Sequence, residues 1–283
     1  MERSLKKIIA LIKPGAPLIY FVNQVHRRHP IHRVIIEDKY MGDIPVFRRL
    51  KTRLALGSDA AAPRRVAVQA KNRKIASLYT RLLGSDWLDL AESIPFTLCK
   101  NINDPAVQAL LEEEKPDLLL DHGTSIVKDH IIATAPLALN LHWGLSPYYR
   151  GTHCTEWALI NWDPRNVGVT VHRLTKVIDG GDVLGQRRIE VEPDDSVDAV
   201  NLKLTCAGTE IVIDALADWQ QGIPLTFHTQ DHALGYLTLN RQWSRTLRSE
   251  IERLQKHDGM RQMLKTPARR SEMPIISYTP KQR

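Results

Sequence analysis

The stretch Leu137-Ala138-Leu139-Asn140-Leu141-His142 predicts both the fold and the site. Its apolar run is typical of a buried strand, and the Asn-x-His spacing places both polar side chains on the same face of that strand. Asp179 follows 37 residues later in the turn Ile178-Asp179-Gly180-Gly181-Asp182, between two strand-like runs. An amide, an imidazole and a carboxylate in one cleft can supply an oxyanion donor, a proton carrier and an orienting charge. This is the minimum set for moving an acyl group between two nitrogens.

Strand-like and helix-like segments alternate before this stretch. The pattern predicts strands at residues 7–12, 33–37, 94–98 and 118–120. It predicts helices at residues 18–28, 44–56, 66–83, 104–114 and 126–133. Strands separated by helices indicate an α/β fold with a mostly parallel sheet and helices on both faces. Ligands in such folds bind beyond the carboxyl ends of the strands, where His122 and His142 both lie.

The pattern changes after His142. Residues 167–174 and 183–191 alternate and predict an antiparallel pair joined by the turn around Asp179. A long amphipathic helix is expected over residues 196–221, and a basic helix over 241–256. We predict a boundary near Ile223-Pro224, with a catalytic domain over residues 1–222 and a small C-terminal subdomain with a basic tail over 223–283.

Composition limits the class of protein. No apolar run approaches the ~20 residues that a membrane span requires. The cysteines are odd in number and widely spaced, which implies neither a disulfide framework nor a zinc pair and favours a reducing cytoplasm; they are Cys99, Cys154 and Cys206. No metal-binding spacing occurs, and no glycine-rich nucleotide loop follows the first strand.

The net charge of +7 is unevenly distributed. Residues 1–81 hold 18 Lys or Arg against 5 Asp or Glu, residues 82–240 hold 10 against 23, and residues 241–283 hold 11 against 4. Basic ends fit an anionic substrate or a nucleic-acid partner. They fit equally well solvated helix faces and a loose tail that have no binding role. The low aromatic content disfavours a platform for single-stranded RNA.

Each candidate residue also has an ordinary structural use. Asn140 could cap a strand end, His142 could pair with a backbone carbonyl, and Asp179 could merely shape a turn. Asp182 is a second choice for the orienting carboxylate. The pair His153-Cys154 is a weaker candidate for a nucleophile and its base, because adjacent residues on a strand or helix point apart.

Two segments carry a family resemblance. LNLHWGLSPYYRG (residues 139–151) and GVTVHRLTKVIDGGDVLGQRRIEVEPDDS (residues 168–196) resemble the hallmark of the folate-dependent formyltransferases, N-x-H-x-S-L-L-P-x-x-x-G followed by G-V-T-x-H/M and D-x-G-D/P. The strong match covers residues 117–197 with order and spacing intact. The family includes glycinamide ribonucleotide, methionyl-tRNA and sugar N-formyltransferases, and enzymes that cleave formyltetrahydrofolate.

The resemblance implies a Rossmann-like formyltransferase domain and the donor 10-formyltetrahydrofolate, with no metal. It maps Asn140, His142 and Asp179 onto the family's catalytic trio. Asn140 and protonated His142 would stabilise a tetrahedral oxyanion, and Asp179 would help carry the proton from the amine to the departing folate nitrogen. The folate-contacting residues would be Asp121, His122, Gly123, Thr124, Ile178 and Asp182.

Departures from the family pattern bear on the acceptor. Gly144-Leu145-Ser146-Pro147 replaces Ser-Leu-Leu-Pro, and the first strand lacks the phosphate loop typical of the purine-pathway enzyme. About 60 C-terminal residues are too few for the barrel with which methionyl-tRNA formyltransferase grips tRNA. What remains resembles the sugar N-formyltransferases, including the stretch from Leu234-Gly235-Tyr236 to Trp243. The expected acceptor is therefore the primary amine of a nucleotide-linked amino sugar.

Other hypotheses stay open. The chain could be a methionyl-tRNA formyltransferase that uses its basic tail, a formyltetrahydrofolate hydrolase in which water replaces the amine, or a non-catalytic binder that keeps the fold. A nucleic-acid partner is less favoured than a small molecule, and the sequence does not decide between a monomer and a homodimer.

Overall fold

A computed structural model describes residues 6–39, 73–256, 258–267 and 270–281. The predicted helix over 44–56 and the first part of the predicted helix over 66–83 lie outside these ranges. Contacts divide the chain into two compact units, residues 1–138 and 139–283. The predicted functional boundary near residue 223 stays a prediction. Among the described residues, no helix combines the length and the apolar character that crossing a membrane requires.

The first unit is built on parallel strands in the order β3-β2-β1-β4. Their bounds are β1 Ile8–Ile12, β2 Ile31–Glu37, β3 Phe96–Cys99 and β4 Leu118–His122. Strand β1 is buried along its whole length, as expected for a central strand of a parallel sheet covered by helices. The predicted α/β fold class is confirmed.

The described helices of this unit are α1 Ala16–Arg28, α2 Arg73–Leu83, α3 Pro105–Glu114 and α4 Asp129–Ile132. Helix α1 buries Phe21 and Ile19 completely. The predicted helix over 126–133 is wrong in extent. Side chains from elsewhere hold the backbone before Asp129: the Asn103 amide donates to the Ile126 carbonyl at 2.9 Å, and its oxygen accepts from Lys128 N at 2.7 Å. Those bonds replace the ones that a helix would make.

The second unit carries an antiparallel group of strands, β5 Leu137–His142, β7 Gly168–Arg173 and β8 Val183–Arg188. Strand β5 begins at the end of the first unit. The register places Asn140 opposite His172 and His142 opposite Thr170. A separate parallel pair is formed by β6 Tyr149–Gly151 and β9 Tyr236–Thr238.

The long helix α6, Val197–Gln220, covers these strands. It begins as predicted, because the Ser196 hydroxyl accepts from Ala199 N at 3.1 Å. A Cβ atom at Gly208 would lie 2.8 Å from Val169 Cγ2, so the glycine allows the helix to approach β7 closely. The other helices are α5 Cys154–Ile160, α7 Arg245–Gln255 and α8 Gly259–Lys265.

The C-terminal segment is bonded to this unit. Gln186 on β8 exchanges hydrogen bonds with the backbone of Ile276, through its own N–H at 2.6 Å and through its side-chain oxygen at 3.0 Å. The Tyr278 hydroxyl donates to Asp218 on α6 at 2.6 Å. Residues 270–281 are therefore part of the packed unit rather than a loose tail.

Candidate active site

Asn140 and His142 lie on one face of β5 at its carboxyl end, and each side chain is 8 % exposed. Leu141, between them, points to the opposite side, where its Cδ1 would lie 2.9 Å from a Cβ atom at Gly208. The alternation of the strand therefore presents two polar groups to one side and an apolar group to helix α6.

The turn that carries Asp179 is held by residues far along the chain. Asp179 adopts a left-handed conformation with φ of +46°. The Gln230 side-chain amide donates to the Asp179 carbonyl at 3.1 Å and also to the Gly181 carbonyl. His232 Nε2 lies 3.0 Å from the Gly180 carbonyl oxygen. These bonds fix the direction of the Asp179 carboxylate.

The structure brings Asn140, His142 and Asp179 together. Asp179 Oδ1 accepts from Asn140 Nδ2 at 3.2 Å, and Asp179 Oδ2 lies 3.4 Å from His142 Nδ1. The Gly151 N–H donates to Oδ2 at 2.7 Å. The geometry that the sequence predicted is present, and the catalytic role of the three residues stays a prediction.

Asp179 is ionised at neutral pH. Burial raises the pKa of its carboxyl, but His142, His172 and the Gly151 N–H outweigh burial and bring the pKa from 3.8 to about 2. A permanent negative charge is therefore available beside the imidazole.

Opposing effects act on the charge of His142. Burial is the largest, and it lowers the pKa; the Asp179 charge and the Tyr149 carbonyl act in the opposite direction. The net pKa is lowered, so the resting imidazole is neutral. Its Nε2 lies 3.1 Å from the Tyr149 carbonyl oxygen, which makes Nε2 the donor, and the Asp179 carboxylate is in place for the second hydrogen when Nδ1 gains a proton.

Cys154 contacts the same ring. Its Sγ lies 3.6 Å from His142 Nε2. Burial raises the pKa of the thiol well above its usual range, so the sulfur keeps its hydrogen and lies beside the N–H of the neutral ring as a weak acceptor. The argument that His153 and Cys154 point apart is correct, since His153 stacks on Trp243 with ring centroids 4.3 Å apart. That argument nevertheless missed the contact between Cys154 and His142.

His172 is a further site residue that the sequence reasoning missed. Its Nδ1 lies 2.7 Å from the Arg173 carbonyl oxygen, which makes Nδ1 the donor and leaves the lone pair of Nε2 free to accept. Nε2 lies 3.1 Å from Asn140 Nδ2. His172 therefore fixes which end of the Asn140 amide faces Asp179. The histidine in GVTVHR, at the same strand end as the trio, was the available signal.

The loop that departs from the family pattern has a defined shape. Thr170 Oγ1 donates to the Gly144 carbonyl at 2.6 Å and accepts from Ser146 N at 3.0 Å. The peptide bond between Ser146 and Pro147 is cis. A Cβ atom at Gly144 would lie 2.6 Å from the Tyr149 carbonyl oxygen and would also collide with the His142 ring. Glycine is therefore required here for the ring to occupy its place.

The predicted folate-contacting residues fall into two groups. Asp121, His122, Gly123 and Thr124 lie in the first unit, at and just after the end of β4. The Thr124 hydroxyl donates to Asp121 Oδ1 at 2.5 Å, and His122 packs edge-on against Phe21 with ring centroids 5.3 Å apart.

The other two predicted contacts, Ile178 and Asp182, lie in the second unit beside Asp179. Asp182 accepts from Arg173 N through its carbonyl at 2.9 Å, which closes the turn. The folate-binding roles of Asp182 and Ile178 stay predictions. The carboxylate that contacts the imidazole is that of Asp179, not that of Asp182.

Two further features complete the description. Among the residues that the structure describes, no cluster of three or more His, Cys, Asp or Glu side chains could hold a metal ion. An open cleft of about 630 Å³ in the second unit is lined by Tyr148, Tyr236, Arg270 and neighbouring residues. The Arg270 guanidinium lies 5.2 Å from the centroid of the Tyr236 ring and donates to its hydroxyl.

Comparison with known proteins identifies the family. The model of the Formyl transferase family matches residues 58–216, more than half of the chain. The chain therefore belongs to the Formyl transferase family, and the resemblance predicted from the sequence is confirmed. A segment of 125 residues, 44 % of the chain, is 36 % identical to the bifunctional polymyxin resistance protein ArnA of Wigglesworthia glossinidia brevipalpis. That match spans 19 % of the length of the relative.

Solved structures share the fold. A 4-N formyltransferase from Francisella tularensis aligns with a TM-score of 0.54 at 17 % identity, over 89 % of this chain and 88 % of that one. An N-formyltransferase from Helicobacter canadensis, solved with folinic acid and dTDP-3-aminofucose, aligns with a TM-score of 0.51 at 11 % identity, over 83 % and 72 % of the two chains. At these identities the likeness concerns the fold alone.

Proposed function

We propose that the protein transfers the formyl group of 10-formyltetrahydrofolate to the primary amine of a nucleotide-linked amino sugar, through a tetrahedral intermediate. The observation that carries the proposal is the convergence of Asn140, His142 and Asp179, in a chain of the Formyl transferase family. Each of the three supplies one group that acyl transfer between nitrogens needs.

Asn140 would stabilise the oxyanion. One of its amide hydrogens points to His172 Nε2, whose role as acceptor is fixed by the Arg173 carbonyl. The other makes the longer bond, 3.2 Å, to Asp179. A formyl oxygen that gains negative charge would take this second hydrogen. One preorganised donor of this kind is worth roughly 3–4 kcal/mol in known oxyanion sites.

His142 and Asp179 would manage the proton. The attacking amine becomes an ammonium as its C–N bond forms, and it must lose a proton before the folate nitrogen departs. The ionised Asp179 carboxylate can receive that proton, directly or through a water, and return it to the leaving nitrogen. His142 can gain positive charge beside the oxyanion, since Asp179 and the Tyr149 carbonyl stand ready to accept both of its N–H groups.

The donor and acceptor are inferred from relatives and from the surface. The Helicobacter canadensis enzyme was solved with a folate and a nucleotide-linked amino sugar. The stretch beginning at Leu234 lines the cleft that also contains Arg270, a combination of aromatic and cationic groups that suits a nucleobase and a phosphate. A cytoplasmic location and a monomeric or homodimeric state remain predictions.

The test is amine-dependent turnover. Pure protein is incubated with 10-formyltetrahydrofolate and a panel of nucleotide-linked amino sugars, while tetrahydrofolate release is followed optically and formylated product by mass spectrometry. We expect at least one amino sugar to be formylated. His142→Ala should lose this activity, whereas His130→Ala, a change at a histidine in the first unit, should retain it.

Other outcomes would identify other functions. Tetrahydrofolate released without any amine would indicate a hydrolase. Formylation of charged initiator tRNA, weakening steeply with salt, would indicate a tRNA formyltransferase. Absence of amine-dependent release across a broad panel would count against the proposal.

A further inference from the structure

Arg150 is a buried cation without a counter-ion. Its side chain is 6 % exposed, and its Nε has no hydrogen-bond partner. No carboxylate among the described residues pairs with it, and Arg188 is the other arginine of this unit that has unpartnered guanidinium nitrogens among those residues. Burying a charge without a partner is strongly unfavourable. Such a group is retained where a ligand supplies the missing charge.

Arg150 lies beside the catalytic trio. It is the middle residue of β6, between Tyr149, whose carbonyl faces His142, and Gly151, whose N–H holds Asp179. Its charge reaches the imidazole, where it opposes protonation. An anion held by Arg150 would therefore be bound close to the His142 imidazole and the Asp179 carboxylate.

The strand register indicates which side Arg150 occupies. Tyr149 is paired with Tyr236, and Arg150 with Leu237, in the parallel β6–β9 ladder. Tyr149 points to the interior, where its hydroxyl donates to Asp163 at 2.7 Å. Because side chains alternate along a strand, Arg150 lies on the other face, which it shares with Leu237, a residue that is 41 % exposed. A ligand could approach that face.

We infer that Arg150 is the anchor of an oxyanion-binding site next to the catalytic trio, for a phosphate of the acceptor or a carboxylate of the folate donor. The planar guanidinium matches both groups by paired hydrogen bonds. The inference deepens the proposed function and rests on it for the identity of the ligand, but anion binding is measurable without turnover.

Thermal unfolding of the full chain tests the inference. Inorganic pyrophosphate serves as the probe for a phosphate and glutarate as the probe for a carboxylate. At concentrations about tenfold above Kd, one of them should raise the Tm of the wild-type protein by roughly 2–4 °C. Arg150→Met should abolish that shift. Arg165→Met, which removes an exposed arginine of the same unit, should leave it unchanged.

The ligand-free proteins provide the sharper comparison. A buried cation whose counter-ion is absent destabilises the ligand-free protein. Arg150→Met should therefore have a Tm equal to or above that of the wild type and should lose the Tm shift with the anion. A structural arginine predicts the opposite, a lower Tm with the anion response kept, and that result would overturn the inference. The same holds if neither anion shifts the wild-type Tm.

Arg150→Lys keeps the charge and loses the planar fork. We expect it to bind the effective anion about 3- to 10-fold more weakly than the wild type, and this variant decides the question if Arg150→Met does not fold. The two probes separate the sources of the ligand. If pyrophosphate raises the Tm of the wild type, Arg150→Lys should have a raised KM for the acceptor. If glutarate raises it, Arg150→Lys should have a raised KM for the folate.

Discussion

Replacing Asp179 by Asn removes one charge from the centre of the site and little else, because the two side chains have nearly the same shape. In the wild-type protein the pKa of Asp179 falls from its ordinary 3.8 to about 2. At about 1.4 kcal/mol for each tenfold change in an equilibrium constant, the ionised carboxylate stabilises the fold by about 2.5 kcal/mol. The side chain is 12 % exposed, so solvent screening reduces this value little.

The sign of the pH dependence follows from the lowered pKa. The stabilisation is fully present above the unfolded pKa of 3.8 and is lost as the pH falls through the folded pKa of about 2. At pH 3 about half of the ~2.5 kcal/mol should remain. Asp179→Asn has no carboxyl to titrate, so the free-energy difference between the two proteins should narrow by about 1 kcal/mol between pH 7 and pH 3.

Urea unfolding followed by tryptophan fluorescence is a suitable assay, since five of the six tryptophans lie in the second unit. Asp194→Asn is the matched control, because it removes a carboxyl that is 91 % exposed and lies outside the candidate site. The electrostatic account would be refuted if the free energies of unfolding of the wild type and Asp179→Asn differed by the same amount at pH 7 and at pH 3.

The same variant tests the chemistry. Under the proposed mechanism, removing the charge deprives the imidazolium of its partner and the amine of its proton acceptor. We expect kcat to fall by about 10²- to 10⁴-fold, with KM changed much less. Steady-state kinetics that show a raised KM and an unchanged kcat would place Asp179 in binding rather than in catalysis.

Three further changes probe the surroundings of the trio. Asn140→Ala should lower kcat about 10²- to 10³-fold with little effect on KM. Steady-state kinetics that show a raised KM and an unchanged kcat would contradict the role of Asn140 in stabilising the oxyanion. Cys154→Ala removes a weak acceptor beside the Nε2 hydrogen of His142, so the pKa of His142 should fall and the inflection in kcat/KM should move to lower pH, with a smaller effect in Cys154→Ser. A thiol acting as a nucleophile would instead lose activity at every pH in both variants. Gly144→Ala puts a Cβ atom 2.6 Å from the Tyr149 carbonyl oxygen, so thermal unfolding should show a lower Tm and the assay little activity; an unchanged Tm would mean that the loop is not tightly constrained.

Part of this site was predictable because it depends on local periodicity. The two-residue repeat of a strand places Asn140 and His142 on one face whatever the rest of the chain does. The Asp-Gly-Gly turn joins two alternating segments, and because β7 ends opposite Leu139, the turn brings Asp179 back next to β5. The long helix was predicted from its amphipathic pattern, and its start is fixed locally, since the Ser196 hydroxyl caps a backbone N–H three residues on.

The remainder depends on register and on turns that no local pattern specifies. His172 reaches Asn140 because the β5–β7 register sets them opposite each other, and a shift of one residue would have turned His172 to the other face. Cys154 was set aside on the assumption that it and His153 share one strand or helix. In the structure His153 has a φ of +59°, so the chain turns between them and helix α5 begins with the thiol facing the imidazole.

Residues beyond 222 form hydrogen bonds with the backbone of the candidate site. Gln230 donates to the carbonyls of Asp179 and Gly181, and Thr238 Oγ1 donates to the Arg150 carbonyl at 3.1 Å. These bonds act on backbone that also carries the proposed catalytic side chain of Asp179 and the proposed anion-binding side chain of Arg150. A carboxylate must be directed to within a few tenths of an ångström to serve both an amide and an imidazole. The turn contains two glycines and would supply little of that rigidity alone, so the positional accuracy of Asp179 depends on a segment that sequence patterns marked as separate.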